Sequence, residues 1–169
     1  MAPLKFGLVG TGHWARIAHA PALATTEDLS LTAVWGRDPQ AAAALASAHG
    51  ATPYSPASSA GDIAAFLDAV DGVAFAVPPD VQAPIAVTAA RAGKHLMLEK
   101  PLAIAPASAD ELVTAVAESG VASVVFFTFR FRTDIRAWLA EVTARGGWMG
   151  GLTGWFGDSL MESSPFNTP

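Results

Sequence analysis

The stretch Lys5-Phe6-Gly7-Leu8-Val9-Gly10-Thr11-Gly12-His13-Trp14-Ala15 decides the fold of this chain. It starts as a mostly apolar run typical of a buried strand and continues with the pattern G-x-G-x-x-A, which opens a helix. Gly10 permits a tight turn, Gly12 lets the backbone approach a pyrophosphate, and Ala15 is small enough for the helix to pack on the strand. Free N–H groups at such a turn favour phosphate binding. The stretch therefore predicts a dinucleotide-binding turn.

Strand and helix signals continue to alternate beyond this stretch, which is typical of a doubly wound parallel sheet. Asp38-Pro39 has the residue types of an N-cap and a first helical residue, and Ser108 with Glu111 has the spacing of a capping box. The sequence predicts an α/β Rossmann fold whose strands cover residues 5–9, 29–35, 52–54, 73–77, 95–98 and 121–128.

The composition limits the classes of function. Of the 169 residues, 51% are hydrophobic and 15% are charged, which indicates a compact globular protein. The net charge of -5 argues against a nucleic-acid partner, because binding a phosphate backbone needs a basic surface. There is no cysteine and no pair of histidines with ligand spacing, so we expect neither a disulfide nor a metal site. The sequence lacks a membrane-spanning stretch and a signal peptide, which predicts no membrane partner and a cytoplasmic location.

The pattern changes after Thr128. Asp134 has the residue type of an N-cap for a helix that is expected to end at Gly146. Residues 152–156 predict a further strand for which the chain offers no partner. We expect residues 1–128 to form the Rossmann domain and residues 129–169 to begin an incomplete, truncated second domain of α+β type. Phe127, Phe129 and Phe131 alternate with polar residues, which we interpret as a half-buried strand leaving the sheet.

Two other segments follow predicted strands, and ligands of open α/β sheets bind beyond the carboxyl ends of strands. Val77-Pro78 follows the fourth strand, and Glu99-Lys100-Pro101 follows the fifth. By itself, the triplet is also compatible with a solvated loop in which Lys100 pairs with Glu99.

Four segments together resemble the N-terminal portion of the Gfo/Idh/MocA oxidoreductase family: residues 10–23, 71–78, 92–101 and 129–131. The resemblance implies a Rossmann domain that holds NAD or NADP, followed by a sheet that forms the substrate pocket and a homo-oligomer interface. It implies a cis peptide bond between Lys100 and Pro101. It also implies that an Asp and His pair of the active site lies in the later part of the family's fold, so we expect this chain alone to bind cofactor without appreciable turnover.

Two positions depart from the family pattern. Gln82 stands where many members have a histidine, and we assign it no role because an amide does not titrate near neutral pH. Gly36 and Arg37 stand where NAD-binding members present a carboxylate to the ribose. An arginine here accommodates the 2′-phosphate of NADP, so NADP is the expected cofactor. NAD is the alternative if Asp38 binds the ribose instead of capping a helix.

The expected function is hydride transfer between the nicotinamide and an alcohol or carbonyl of a sugar-like or polyol substrate. Lys100 is the expected catalytic residue, because a lysine whose pKa is lowered by burial or by a neighbouring cation can move the proton of the reacting oxygen. Glu99 would orient Lys100 or the cofactor. The alternative is a nucleotide-sensing or regulatory protein with the same fold and no turnover. The expected cofactor-binding residues are Gly10, Thr11, Gly12, His13, Trp14, Gly36, Arg37, Val77, Pro78, Glu99 and Lys100.

Overall fold

The computed structural model describes residues 2–56 and 63–147, so the strand expected at residues 152–156 lies outside the described residues. The chain divides into two compact units, residues 1–126 and 127–169. The described part contains no helix long and apolar enough to cross a membrane.

The first unit is built on a sheet of parallel strands with the order β3-β2-β1-β4-β5-β6. This order reverses direction between β1 and β4, as in the Rossmann fold. The α/β fold predicted from the sequence is therefore confirmed. The strands are β1 (Leu4–Val9), β2 (Leu29–Trp35), β3 (Thr52–Tyr54), β4 (Gly72–Phe75), β5 (His95–Leu98) and β6 (Ser123–Val125).

Helices cover both faces of this sheet. Neighbouring strand residues point to opposite faces, so Val34 and Trp35 belong to two separate core clusters. Val34 packs in the cluster that includes Leu23 and Leu45, whereas Trp35 packs in the cluster that includes Phe66. The helices of this unit are a π-helical segment (Ala15–His19), α1 (Ala20–Thr25), α2 (Pro39–Ala48), α3 (Ile63–Asp68), α4 (Pro79–Arg91) and α5 (Pro106–Ser119).

The bounds of three strands differ from the sequence prediction, and β1 begins one residue earlier than predicted, at Leu4. The fourth strand ends at Phe75 instead of residue 77, and the sixth covers only Ser123–Val125 instead of residues 121–128. The predicted capping box is wrong: α5 begins at Pro106 with Ala105 as its N-cap, and Ser108 therefore lies inside the first turn. Proline is favoured at the first helical position because its fixed φ suits the helix, and it starts α5 before the serine.

The second unit contains a short 3-10 helix, Thr128–Phe131, and α6, Thr133–Arg145. The half-buried strand predicted here is wrong, because the backbone N–H of Arg130 donates to the Phe127 carbonyl and closes a turn. Asp134 is not the N-cap of α6 either, since Arg132 occupies that position. The Arg132 guanidinium instead donates to the Asp134 carboxylate at 2.5 Å and lowers the pKa of that carboxyl. The helix ends before Gly146, as predicted.

Candidate functional site

The carboxyl ends of β1 and β4 lie side by side, at the point where the strand order reverses. The Ala76 N–H donates to the Val9 carbonyl at 2.8 Å, which holds the two chain segments together just beyond the strands. Gly10 has a φ of 123° there, and a Cβ at this position would overlap the Ala76 carbonyl oxygen. Only glycine fits this turn, because a side chain would meet both strain and the neighbouring backbone.

A pocket of about 360 Å³ opens at this point. Its lining combines the glycine turn after β1, the end of β2 and the segment after β4. The residues are Gly10, Thr11, Gly12, Trp35, Arg37, Asp38, Ala76, Val77, Pro78 and Val81. The structure thus brings together six of the expected cofactor-binding residues, Gly10, Thr11, Gly12, Arg37, Val77 and Pro78. His13, Trp14, Gly36, Glu99 and Lys100 are not part of this lining.

Gly12 and the two residues after it form the exposed side of the turn. No atom of the described chain lies within 4 Å of the position where a Gly12 Cβ would stand, apart from its chain neighbours. His13 and Trp14 make an edge-to-face ring contact with each other, with centroids 5.5 Å apart. The small residue at position 12 leaves the mouth of the pocket open to a ligand.

The end of β2 presents a cation and has no room for a side chain at Gly36. A Cβ at Gly36 would lie 2.7 Å from the Cγ2 atom of Thr11 and 3.4 Å from the Cβ of Ala42. Arg37 follows with an exposed side chain. The Asp38 Oδ1 atom accepts hydrogen bonds from the backbone N–H groups of Gln40 at 2.9 Å and Ala41 at 3.2 Å. Asp38 is therefore the N-cap of α2, as predicted.

Trp35 is a pocket-lining residue that sequence reasoning missed, and its indole carries a buried polar group. Its side chain is 8% exposed, and its Nε1–H group has no hydrogen-bond partner in the described part of the chain. Buried donors are nearly always paired, so such a group needs an explanation. The alternation of residues along β2 could have indicated which face of the sheet the ring covers, but it does not indicate that the indole N–H is unpaired.

Glu99 and Lys100 lie beyond β5, the strand that neighbours β4. The Lys100–Pro101 peptide bond is cis, as expected. One Glu99 carboxylate oxygen lies 3.0 Å from the His19 Nε2 atom, and the other accepts the Lys100 backbone N–H at 3.2 Å. The Glu99 carboxylate therefore faces His19, a contact that the sequence did not predict.

The Lys100 side chain is exposed in this structure and has no ion pair among the described residues. The alternative in which Lys100 pairs with Glu99 is not what the geometry shows. The described residues do not bury the Lys100 side chain either.

Gln82 is the second residue that sequence reasoning missed. It lies on α4, is completely buried, and directs its amide at the segment Glu99-Lys100-Pro101-Leu102. The sequence could have indicated that this side chain is buried, since Gln82 is the one long polar side chain on a helical face made of Ala83, Ala86 and Val87. A polar group on such a face requires buried partners.

The family model described as the oxidoreductase family with an NAD-binding Rossmann fold, Gfo/Idh/MocA, matches residues 4–127. The chain belongs to this family. Among the Gfo/Idh/MocA relatives, D-glucoside 3-dehydrogenase of Escherichia coli K12 is 33% identical over 144 residues, which cover 84% of this chain and 40% of that protein. Inositol 2-dehydrogenase of Rhizobium meliloti is 31% identical and covers 76% of this chain and 37% of that protein. The chain thus spans about two fifths of the length of these curated relatives.

Solved structures of Gfo/Idh/MocA proteins have the same fold. KijD10, a 3-ketoreductase from Actinomadura kijaniata in complex with NADP, is 27% identical with a TM-score of 0.73, covering 86% of this chain and 45% of that chain. The WlbA dehydrogenase from Bordetella pertussis, in complex with NADH and UDP-GlcNAcA, is 26% identical with a TM-score of 0.74, covering 84% of this chain and 42% of that chain. The comparisons support a nicotinamide cofactor and include structures with both the phosphorylated and the unphosphorylated form.

Proposed function

We propose that this chain binds NADP(H) in the pocket between β1 and β4, and that the protein transfers hydride between the nicotinamide and an alcohol or carbonyl of a sugar-like or polyol substrate. The observation that carries the proposal is the meeting of the Gly10-Thr11-Gly12 turn and Arg37 in one pocket at the switch point of the sheet. Ligands of open α/β sheets bind at this point. The bound nicotinamide supplies the redox chemistry.

Each side of the pocket fits a part of the cofactor. The open position at Gly12 leaves space for the pyrophosphate, because no protein side chain fills it. Gly36 offers no carboxylate to repel a 2′-phosphate, and Arg37 supplies a planar fork of donors that binds phosphate.

Asp38 is the feature that opposes NADP, since its carboxylate also lines the pocket. One oxygen of this carboxylate already accepts two backbone N–H groups at the start of α2. We therefore assign Asp38 to the helix cap and Arg37 to the cofactor.

We infer that Lys100 is the proton-transferring residue for the substrate oxygen. Its position beyond β5 places it at the same edge of the sheet as the cofactor pocket. Its ammonium makes no ion pair in the described part of the chain, so it is available to hydrogen-bond a substrate. The names of the relatives, which include dehydrogenases of a glucoside and of inositol, support a substrate with several hydroxyl groups.

Calorimetric titration with both cofactors tests the cofactor assignment. We expect NADPH to bind roughly ten- to a hundredfold more tightly than NADH, because a hydrogen bond to a charged group contributes about 1.5 to 3 kcal/mol. Arg37→Ala should remove most of this preference. Asp38→Asn is the matched variant, because asparagine caps a helix as well as aspartate does while it lacks the charge.

Two outcomes would contradict the assignment. Tighter binding of NADH by the unmodified chain would exclude the preference for NADP. A selective loss of NADH affinity in Asp38→Asn would show that Asp38 binds the ribose and that its capping role is secondary.

Turnover is tested by following reduced nicotinamide across sugars and polyols, with Lys100→Ala and Lys100→Arg as variants. Because we expect no appreciable turnover from residues 1–169 alone, the assay uses a protein in which they are followed by the rest of the family's fold. We expect Lys100→Ala to lower kcat by roughly 10²- to 10⁴-fold, as for other proton-transfer residues. Lys100→Arg keeps the charge and should remain impaired, because an arginine does not release its proton. Tight cofactor binding with no oxidation or reduction of any substrate, even when residues 1–169 are followed by the rest of the family's fold, would favour the nucleotide-sensing alternative.

A further inference from the structure

Gln82 lies on α4, but the hydrogen bonds of its side chain go to another segment of the chain. The Gln82 side chain is 0% exposed, and Ala83 and Ala86 beside it on the helix are buried as well. The bonds reach residues 99–102, which link the end of β5 to the approach to α5. This link contains Lys100, the residue to which the proposed function assigns proton transfer.

The amide holds the backbone on both sides of Lys100. Before the lysine, the Gln82 Oε1 atom accepts the Glu99 N–H at 2.8 Å, and Nε2 donates to the Glu99 carbonyl at 2.8 Å. After it, Nε2 donates to the Leu102 carbonyl at 3.1 Å, with a longer contact of 3.4 Å to the Pro101 carbonyl. One side chain therefore satisfies backbone groups at three positions of an irregular segment.

These contacts fix the orientation of the amide. A flipped amide would bring its NH₂ group against the Glu99 N–H and its oxygen against the two carbonyls, and each contact would be repulsive. A shorter or purely apolar side chain could not replace it, because buried backbone groups would lose their partners.

We infer that Gln82 is a positioning residue, which holds the backbone around Lys100 and so places its ammonium relative to the bound nicotinamide. This inference rests on the proposed function, because it assigns Lys100 to the reaction. It gives a role to the neutral amide at a position where many members of the family have a histidine. Gln82 itself does not line the cofactor pocket, so it acts on the lysine and leaves the pocket unchanged.

The test compares Gln82→Met, which has a similar length and no hydrogen-bonding groups, with Val87→Ala on the same helix. Val87 is also buried, in the core against the sheet, so its truncation destabilises α4 without removing a hydrogen bond to residues 99–102. Gln82→Glu has the shape of glutamine and keeps the acceptor but loses the donor. It replaces Gln82→Met in the comparison if the methionine variant does not fold. Gln82→His supplies one acceptor and one donor and is the rescue variant.

The first measurement is hydrogen exchange of the Glu99 amide, which requires no cofactor. We expect exchange roughly tenfold or more faster in Gln82→Met than in Val87→Ala, because only the first variant removes the acceptor of this N–H. Equal exchange in the two variants would overturn the inference.

The second measurement follows the NMR signal of the Lys100 εCH₂ group during titration with NADP⁺. We expect NADP⁺ to bind Gln82→Met within about threefold of the unmodified chain, since the pocket is intact, while the Lys100 shift at saturation is lost. The shift should persist in Val87→Ala and return in Gln82→His. A full shift in Gln82→Met would overturn the inference. If the unmodified chain binds no nicotinamide, the proposed function fails, and Glu99 exchange alone then decides whether Gln82 holds this segment.

Discussion

Thr11 and Gly36 occupy adjoining positions in two different turns, and each restricts what the other can be. The Thr11 methyl group lies where a side chain at position 36 would begin, with 2.7 Å between its Cγ2 atom and the Cβ that Gly36 lacks. Carbon atoms at that separation repel each other, so one of them must move. A carboxylate that could bind the ribose of NAD at position 36 therefore depends on the residue at position 11.

This contact predicts that cofactor preference is changed by two substitutions together and not by one. Gly36→Asp alone should lower the free energy of unfolding by about 1 to 3 kcal/mol and bind both cofactors poorly. Thr11→Ala with Gly36→Asp should recover stability and prefer NADH, because the methyl group is gone and the carboxylate reaches the ribose.

Urea unfolding and titration of the four proteins in this double-mutant cycle measure the coupling. Thr11→Ala alone is the control, because it removes the methyl group without adding the carboxylate. If Gly36→Asp alone were stable and bound NADH tightly, Thr11 would have no part in cofactor choice.

At the scale of single elements, α5 begins without a side-chain cap. Ala105 occupies the N-cap position with extended backbone and cannot accept a hydrogen bond from the first helical N–H groups. Ala105→Asp should therefore stabilise the chain by about 0.5 to 2 kcal/mol, and thermal unfolding would show a higher Tm. Ser108→Ala tests the opposite view. We expect a change of less than about 0.5 kcal/mol, whereas a loss near 1 kcal/mol would mean that Ser108 is the cap after all.

Local sequence signals are sufficient to predict some elements of the fold. The bounds predicted for β2, β3 and β5 agree with the structure, because short apolar runs between turn residues are local features. Asp38 was recognised as a cap because proline follows it directly. The aromatic alternation around Phe129 led to the wrong prediction of a strand, because a period of two does not show whether a partner strand is present.

The candidate site likewise has parts that could be predicted from the local sequence and parts that could not. The Gly10-Thr11-Gly12 turn could be predicted because its glycines perform a task within a few residues of chain. The role of Gln82 could not be predicted, since its partners at Glu99 and Leu102 become neighbours only when α4 packs beside β5. The contact between His19 and Glu99 likewise joins segments that are distant in the sequence.

For the whole molecule, the division into two units has a consequence for binding. Every residue that lines the cofactor pocket belongs to residues 1–126, and α6 buries none of its side chains. We expect residues 1–126 expressed alone to bind NADP(H) within about threefold of the full chain, because the whole pocket lining belongs to this unit. Calorimetry on both lengths measures this. A folded 1–126 protein that binds no cofactor would show that the second unit contributes to the site.

The two chain segments that meet at the pocket, after β1 and after β4, are synthesised at different times. The turn at Gly10 follows β1, whereas Ala76 follows β4. The π-helical segment, α1, β2, α2, β3, α3 and β4 are synthesised between them. Pairing β1 with β4 closes a long loop and is slow compared with local helix formation. On the ribosome, the glycine turn therefore lacks its contact with Ala76 until β4 emerges. The cofactor cannot guide the early steps of folding, and by mass action it stabilises only molecules in which the central strands have already met.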